Sequence, residues 1–331
     1  MRTLGVLASV LLAVAACSSS GRDSGFADGT AGGPGSSGSS GSNIGGTSGS
    51  GSTGPTEECT KMDLVFIVDD SGSMSEEQTN LASNFPAFIK VLDDFRTKSG
   101  SKIDYRVAVT TTGRDVTYTV SIPGFPVTIP PTTEKGDNGA FRNNAKCAPK
   151  RRWIERADDK VAETFSCIAQ VGTSGPGYEM PLESLKLALN DRMKDGTNAG
   201  FLREDALLAI IILTDEDDCS RTDNNFSVGT ADSCEAGPTV QPVGAYKSML
   251  DTVAKGAGRW AAGVIAGPGP GECSSSFGKA VEAKRLKDFV AAVGKNGTFS
   301  SICDGNLGTG LKKALDTFDG ACRSLPPPNV K

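Results

Sequence analysis

The 331-residue chain contains no histidine. That absence removes Ser–His–Asp and Cys–His catalysis, histidine-ligated zinc and haem held by an axial histidine. It has no apolar run of 18 residues, so no segment reads as a membrane-spanning helix. It has no Cys-x₂-Cys pair, which leaves a zinc site without its usual ligand spacing. Basic residues number 34 against 39 acidic ones, a net charge of −5. Such a balance lacks the clustered basic face of a nucleic-acid-binding domain. Glycine is abundant instead, at 41 residues, and the excess is local.

Residues 1–17 read MRTLGVLASVLLAVAAC. Arg2 precedes an apolar run, Leu4 to Ala16, that is too short to span a bilayer and suits an export signal. The run ends Val14-Ala15-Ala16-Cys17, which resembles the lipobox of bacterial lipoproteins. The resemblance implies a signal peptide at 1–16, cleavage before Cys17 and lipid on that residue. Ser18, rather than aspartate, follows it, which points to the outer membrane or cell surface of a bacterial envelope. Several acyl chains on one residue anchor far better than one. Gly and Ser then dominate up to about residue 57, a composition that cannot bury enough apolar surface to fold. Residues 17–57 are thus expected to be a flexible tether that begins at the cysteine the resemblance marks for lipid, and that lipid is the only membrane contact expected.

Setting Cys17 aside leaves eight cysteines, an even number that suggests disulfides in an exported protein. Spacing does not choose among the connectivities. The expected set is Cys59–Cys322, joining the two ends of the domain, with Cys147–Cys167, Cys219–Cys234 and Cys273–Cys303 stapling loops.

The folded part is expected at 58–325, with a tail at 326–331. Short unbroken apolar runs at 64–68 and 206–213 read as strands buried on both faces, as in parallel sheets. Further strands are expected at 103–109 and 261–266, with a last edge strand at 297–303. Helical stripes lie between them: Leu81 to Phe95, where Pro86 should kink or restart the helix, then Leu182 to Met193, Leu286 to Val293 and Leu307 to Phe318. Alternating strands and helices imply an α/β fold, a doubly wound and mainly parallel sheet flanked by helices. Residues 113–160 break the rhythm and read as an insertion, with a hairpin or edge strand at 116–120 and 127–129.

Two of the apolar strands run into aspartate. One leads into Asp69-Asp70-Ser71-Gly72-Ser73, the other into Asp215-Glu216-Asp217-Asp218. In a parallel sheet both ends share one edge, where open α/β sheets bind ligands. Carboxylates and hydroxyls gathered there call for a cation, and an all-oxygen set suits Mg²⁺, Mn²⁺ or Ca²⁺.

The pattern Asp69-x-Ser71-x-Ser73 after an apolar strand resembles the von Willebrand factor A domain and its metal-ion-dependent adhesion site. Thr173, in Val171-Gly172-Thr173-Ser174-Gly175, matches that family's second-loop threonine, and Asp215 matches its late aspartate. The resemblance covers most of residues 60–320. It implies that Ser71, Ser73 and Thr173 give oxygens to the metal, and that Asp69 and Asp215 act directly or through water. One position is left open for a partner's carboxylate. Glu216 stands where the family often has glycine, and Glu216–Asp218 reads as a solvated acidic loop, with a second cation as the alternative.

Enzyme readings are poorly supported. A haloacid-dehalogenase-like phosphatase needs a second aspartate at position 71, which is serine. Ser276-x-x-Lys279 lacks the Lys-Thr-Gly partner of penicillin-binding enzymes. Gly267-x-Gly269-x-Gly271 has proline at both x positions and is no dinucleotide fingerprint. The expectation is therefore a non-enzymatic, cation-dependent protein-binding module, an adhesin or receptor whose partner offers an acidic side chain. The alternative is an envelope scaffold or assembly factor that docks through the 113–160 insertion and uses its metal only structurally.

Overall fold

The structure is a computed structural model that describes residues 58–120, 130–228, 239–275 and 278–329. The chain divides into two units, Met1–Ser52 and Thr53–Lys331, and every described residue belongs to the second. The leader, Cys17, the tether, Cys234, Ser276 and the 127–129 segment lie outside the described residues.

In chain order the strands are β1 (Lys61–Val68), β2 (Asp104–Thr111), β3 (Val116–Val120), β4 (Thr132–Glu134), β5 (Ile154–Glu155), β6 (Leu207–Leu213), β7 (Asn225–Val228), β8 (Trp260–Ala266), β9 (Cys273–Ser275), β10 (Gly278–Ala280) and β11 (Gly297–Ser301). The helices are α1 (Ser75–Asp94), α2 (Val161–Ala169), α3 (Pro181–Lys186), α4 (Arg192–Lys194), α5 (Val243–Val253), α6 (Lys284–Val293) and α7 (Leu307–Arg323).

The main sheet runs β11-β8-β6-β1-β2-β5, parallel throughout except for β5, which lies antiparallel on β2. The apolar strands sit at its centre, where both faces are covered. Side-chain alternation divides each of them between two cores. Leu64, Phe66 and Val68 of β1 face α1, α2 and α7, where Phe66 packs edge-on against Phe85 and Phe88 and tilted against Phe165. Val65 and Ile67 face α3, α5 and α6, among Leu182, Leu185, Leu250 and Phe289. Helices on both faces make the sheet doubly wound, as the strand–helix alternation implied. In β8, Gly263 lets α7 come close, since a Cβ there would lie 2.6 Å from that of Ala314.

Several details differ from the sequence reading. Helix α1 runs through Pro86 without a break; burial of Phe85, Phe88, Ile89 and Leu92 against the sheet outweighs the local cost of proline. The Leu182–Met193 stripe is not one regular helix, because a π-turn at Leu187–Asp191 separates α3 from α4. The insertion contributes to a second sheet of order β4-β3-β7, in which β3 pairs antiparallel with β4 and parallel with β7. Tyr118, Tyr178 and Phe226 pack together on it.

Three expected disulfides are present: Cys59–Cys322, Cys147–Cys167 and Cys273–Cys303. Cys219 is also disulfide-bonded, and its expected partner Cys234 lies outside the described residues. Among the described residues no helix is long and apolar enough to cross a membrane.

Candidate metal centre

From β1 the chain turns outward to β2 on one side, and the later strands β6, β8 and β11 fill the other. The order in which strands are added therefore reverses beside β1, and the carboxyl ends of β1 and β6 open the crevice where such folds hold ligands. The parallel ladder continues past the strand ends. Asp69 N donates to Leu213 O, Thr112 N to Val68 O and Thr214 N to Ile265 O. The loops that carry the candidate residues are thus fixed by backbone bonds.

Asp69 is completely buried. Its Oδ1 accepts from Ser71 N at 2.8 Å and from Thr112 Oγ1 at 3.4 Å, and its Oδ2 accepts from Thr214 Oγ1 at 2.6 Å. Its carbonyl accepts from Gln78 Nε2 of α1 at 2.8 Å. The carboxylate is thereby held from the ends of β1, β2 and β6. Ser71 Oγ and Ser73 Oγ share a hydrogen bond at 2.9 Å, and Ser73 Oγ donates to Asp215 Oδ1 at 3.3 Å. Four of the five residues identified from the sequence therefore form one chain, Asp69–Ser71–Ser73–Asp215, in which Ser73 is exposed and the other three are buried. Thr173 is exposed on the loop before α3 and takes no part in that chain.

Other acidic groups surround it. Burial, then Asp137 and Asp69, push Asp70 up to about 7. Its Oδ1 has no hydrogen-bond partner. Gly175 N donates to Asp70 O at 2.7 Å, and a Cβ at Gly175 would fall 2.2–2.5 Å from the Asp70 carboxyl, so only glycine fits there. Burial also pushes Glu77 and Asp215 up to about 7, each with Asp69 adding repulsion. Asp69 itself is raised by burial in spite of its three donors. Glu179 is raised well above the usual carboxylate range by burial and then by Asp69 and Glu216. Neither of its oxygens has a hydrogen-bond partner.

The charges that bear most on Asp69, Glu179 and Asp215 are all negative. Buried like charges are costly unless a proton or a cation offsets them. Among the described residues no three His, Cys, Asp or Glu side chains already converge as a metal cage. The donor set is instead two carboxylates and two serine hydroxyls, beside buried carboxyl oxygens that lack donors. That chemistry fits a hard divalent cation with oxygen ligands.

The acidic run after β6 is not a solvated loop, nor a free second cation site. Asp218 is completely buried and accepts from Arg285 Nη2 at 3.0 Å, Ser220 Oγ at 2.5 Å and Leu182 N at 3.1 Å. Asp217 accepts from the backbone N–H groups of Arg285 and Leu286 at the start of α6. Both are structural, and only Glu216 adds its charge to the site. Sequence reasoning also missed Thr112, Thr214 and Glu179. The two threonines had a signal, since each is a hydroxyl at the polar end of an apolar strand. Glu179 had only its place just ahead of the proline that starts α3.

No protein-family model and no curated protein matches the chain. Among solved structures it is similar to proximal thread matrix protein 1 from the mussel byssus, at 16% identity over 80% of this chain and 49% of that one, with a TM-score of 0.40. A second structure of that protein, with a zinc-occupied MIDAS motif, gives 15% identity over 80% and 46%, with a TM-score of 0.37. PilB minor pilin from Streptococcus sanguinis gives 14% identity over 82% and 63%, with a TM-score of 0.38. The chain spans about half the length of the mussel protein. At this level of likeness no family is assigned, and the reading of the site rests on its own geometry.

Proposed function

We propose that the chain is an envelope-anchored, divalent-cation-dependent protein-binding module of the von Willebrand factor A type. The observation that carries this reading is the hydrogen-bonded chain Asp69–Ser71–Ser73–Asp215 at the reversal point of the sheet, bordered by buried carboxylates without donors. These four residues hold Mg²⁺, Mn²⁺ or Ca²⁺ together with an oxygen from the loop before α3, for which Thr173 is the candidate from sequence. A bound cation supplies positive charge at the rim for an acidic group of a partner protein. The serines leave it electrophilic because they are neutral, and Ser73, between the buried Ser71 and Asp215, opens the chain to solvent. The lipid on Cys17 keeps the module at the outer membrane or cell surface.

Titration calorimetry of the full oxidised chain with each cation tests the reading. Saturable binding that Ser73→Ala and Asp215→Asn abolish supports it, and silence up to several millimolar cation overturns it. The alternative, docking through the insertion, draws on the separate β4-β3-β7 sheet with its aromatic cluster. Partner capture that survives chelation but is lost on deleting the insertion favours that alternative.

A further inference from the structure

Thr173 and Glu179 lie on the same loop before α3, and the structure treats them oppositely. Thr173 is exposed, whereas Glu179 is only 1% exposed. The backbone around Glu179 is fixed on both sides. Met180 N donates to Thr112 O at 3.2 Å, and Glu179 O accepts from Cys219 N at 2.8 Å. Residue 179 is therefore fixed between the end of β2 and the loop after β6. Those same two segments carry Thr112 and Thr214, whose hydroxyls hold the Asp69 carboxylate.

A carboxylate in such a place should be hydrogen-bonded or ion-paired, since an unpartnered buried polar group is costly. Both Glu179 oxygens nevertheless lack a partner. The fold encloses this side chain, fixes its backbone and sets it among the acidic groups Asp69 and Glu216; the Glu216 carboxyl lies within hydrogen-bonding reach, and only the backbone N–H of Glu179 itself favours the charged form. Structural acids elsewhere in the domain are satisfied: Asp63 by Arg203, and Asp218 by Arg285.

We propose that Glu179, and not Thr173, is the loop's contribution to the cation site, facing the cation directly or through a water. The proposal rests on the cation reading given above. It makes the site richer in charge than a set of two carboxylates with hydroxyls alone. Since affinity for a hard cation rises with the number of charged ligands, the free protein binds its cation without help from a partner.

The test titrates Mg²⁺, Mn²⁺ and Ca²⁺ into the full oxidised chain and compares wild type, Glu179→Gln and Thr173→Ala. It reads affinity by calorimetry and the cation-induced rise in Tm. Glu179→Gln should weaken binding at least about tenfold and remove the rise in Tm, since even residues one shell out from a metal carry effects of that size. Thr173→Ala should leave both readouts near wild type. Glu179→Met, of similar length and without oxygens, gives the same answer should the Gln variant fold poorly in chelator. Wild-type-like binding by Glu179→Gln overturns the proposal and leaves the cation reading standing; the carboxyl is then a neutral acid that needs no metal. Loss of binding in Thr173→Ala alone assigns the loop donor to Thr173. No binding by the wild type overturns the cation reading, and this proposal with it.

Discussion

Thr214 and Asp69 lie 145 residues apart in sequence, and the Thr214 hydroxyl donates to Asp69 Oδ2 at 2.6 Å. This bond ties the end of β6 to the end of β1. It also settles which way the Asp69 carboxylate faces, because Ser71 N and Thr112 Oγ1 take the other oxygen. Thr214→Val keeps the shape and removes the donor. A buried carboxylate oxygen then loses its partner, at a cost of about 1–3 kcal/mol. Urea unfolding should show that loss, and calorimetry should show weaker cation binding, because Asp69 is free to turn.

Gly175 packs its backbone on Asp70 with no room for a side chain. Gly175→Ala forces the loop before α3 away from the end of β1. Such overpacking costs roughly 1–3 kcal/mol. The sharper expectation concerns the site: cation affinity should fall although no donor has been removed. Gly177, beside which a Cβ meets nothing, supplies the control, and Gly177→Ala should bind cation like the wild type.

Asp63 decides between two opposing effects. Burial pushes it up to about 6, against the pull of the Arg203 guanidinium. An unfolded aspartate titrates near about 3.9. The folded state therefore holds the proton more tightly, and its stabilising share falls as pH rises through that interval and stays level above it. The full effect is roughly 3 kcal/mol at most. Asp63→Asn cannot titrate, so the stability of wild type minus variant should shrink between about pH 4 and about pH 6. A difference that grows with pH would show that the Arg203 bonds outweigh burial.

Asp218 is a structural anion. Asp218→Ala leaves Arg285, itself only 11% exposed in its side chain, without its partner. Breaking a buried pair from one side costs about 3–5 kcal/mol. Thermal unfolding should register that loss, while the number of cations bound per chain stays the same. A drop in stoichiometry would reinstate a second metal at the acidic run.

Much of this was legible in the sequence. The apolar runs of β1, β6 and β8 are long enough, and unbroken enough, to require burial on both faces, and a parallel sheet follows. Asp69, Ser71, Ser73 and Asp215 could be placed because each follows directly from one of those strands. Cysteine parity pointed to disulfides, although nothing in the spacing selects the three pairs described. The rest depended on tertiary placement. Pro86 looked like a break because its context, four buried side chains on one sheet face, is not local. Asp217 and Asp218 looked solvated because their partner Arg285 lies more than 60 residues on. Glu179 was passed over because its burial is set by Thr112 and Cys219, far away in sequence.

Strand β1 begins just after the disulfide-bonded Cys59 and ends just before Asp69, so it spans the sheet from its amino-terminal edge to the candidate site. It is also a central strand, paired along its length with β2 and β6. A load applied between these two ends acts along β1, in shear. The parallel hydrogen bonds on both sides of the strand then share the force at once instead of opening one after another. Cys59–Cys322 joins the strand's start to α7, so the same pull also recruits the last helix. Under the proposed function, with an anchor on the amino-terminal side and a partner held at the site, the domain is mechanically strongest along the line in which it would be stretched.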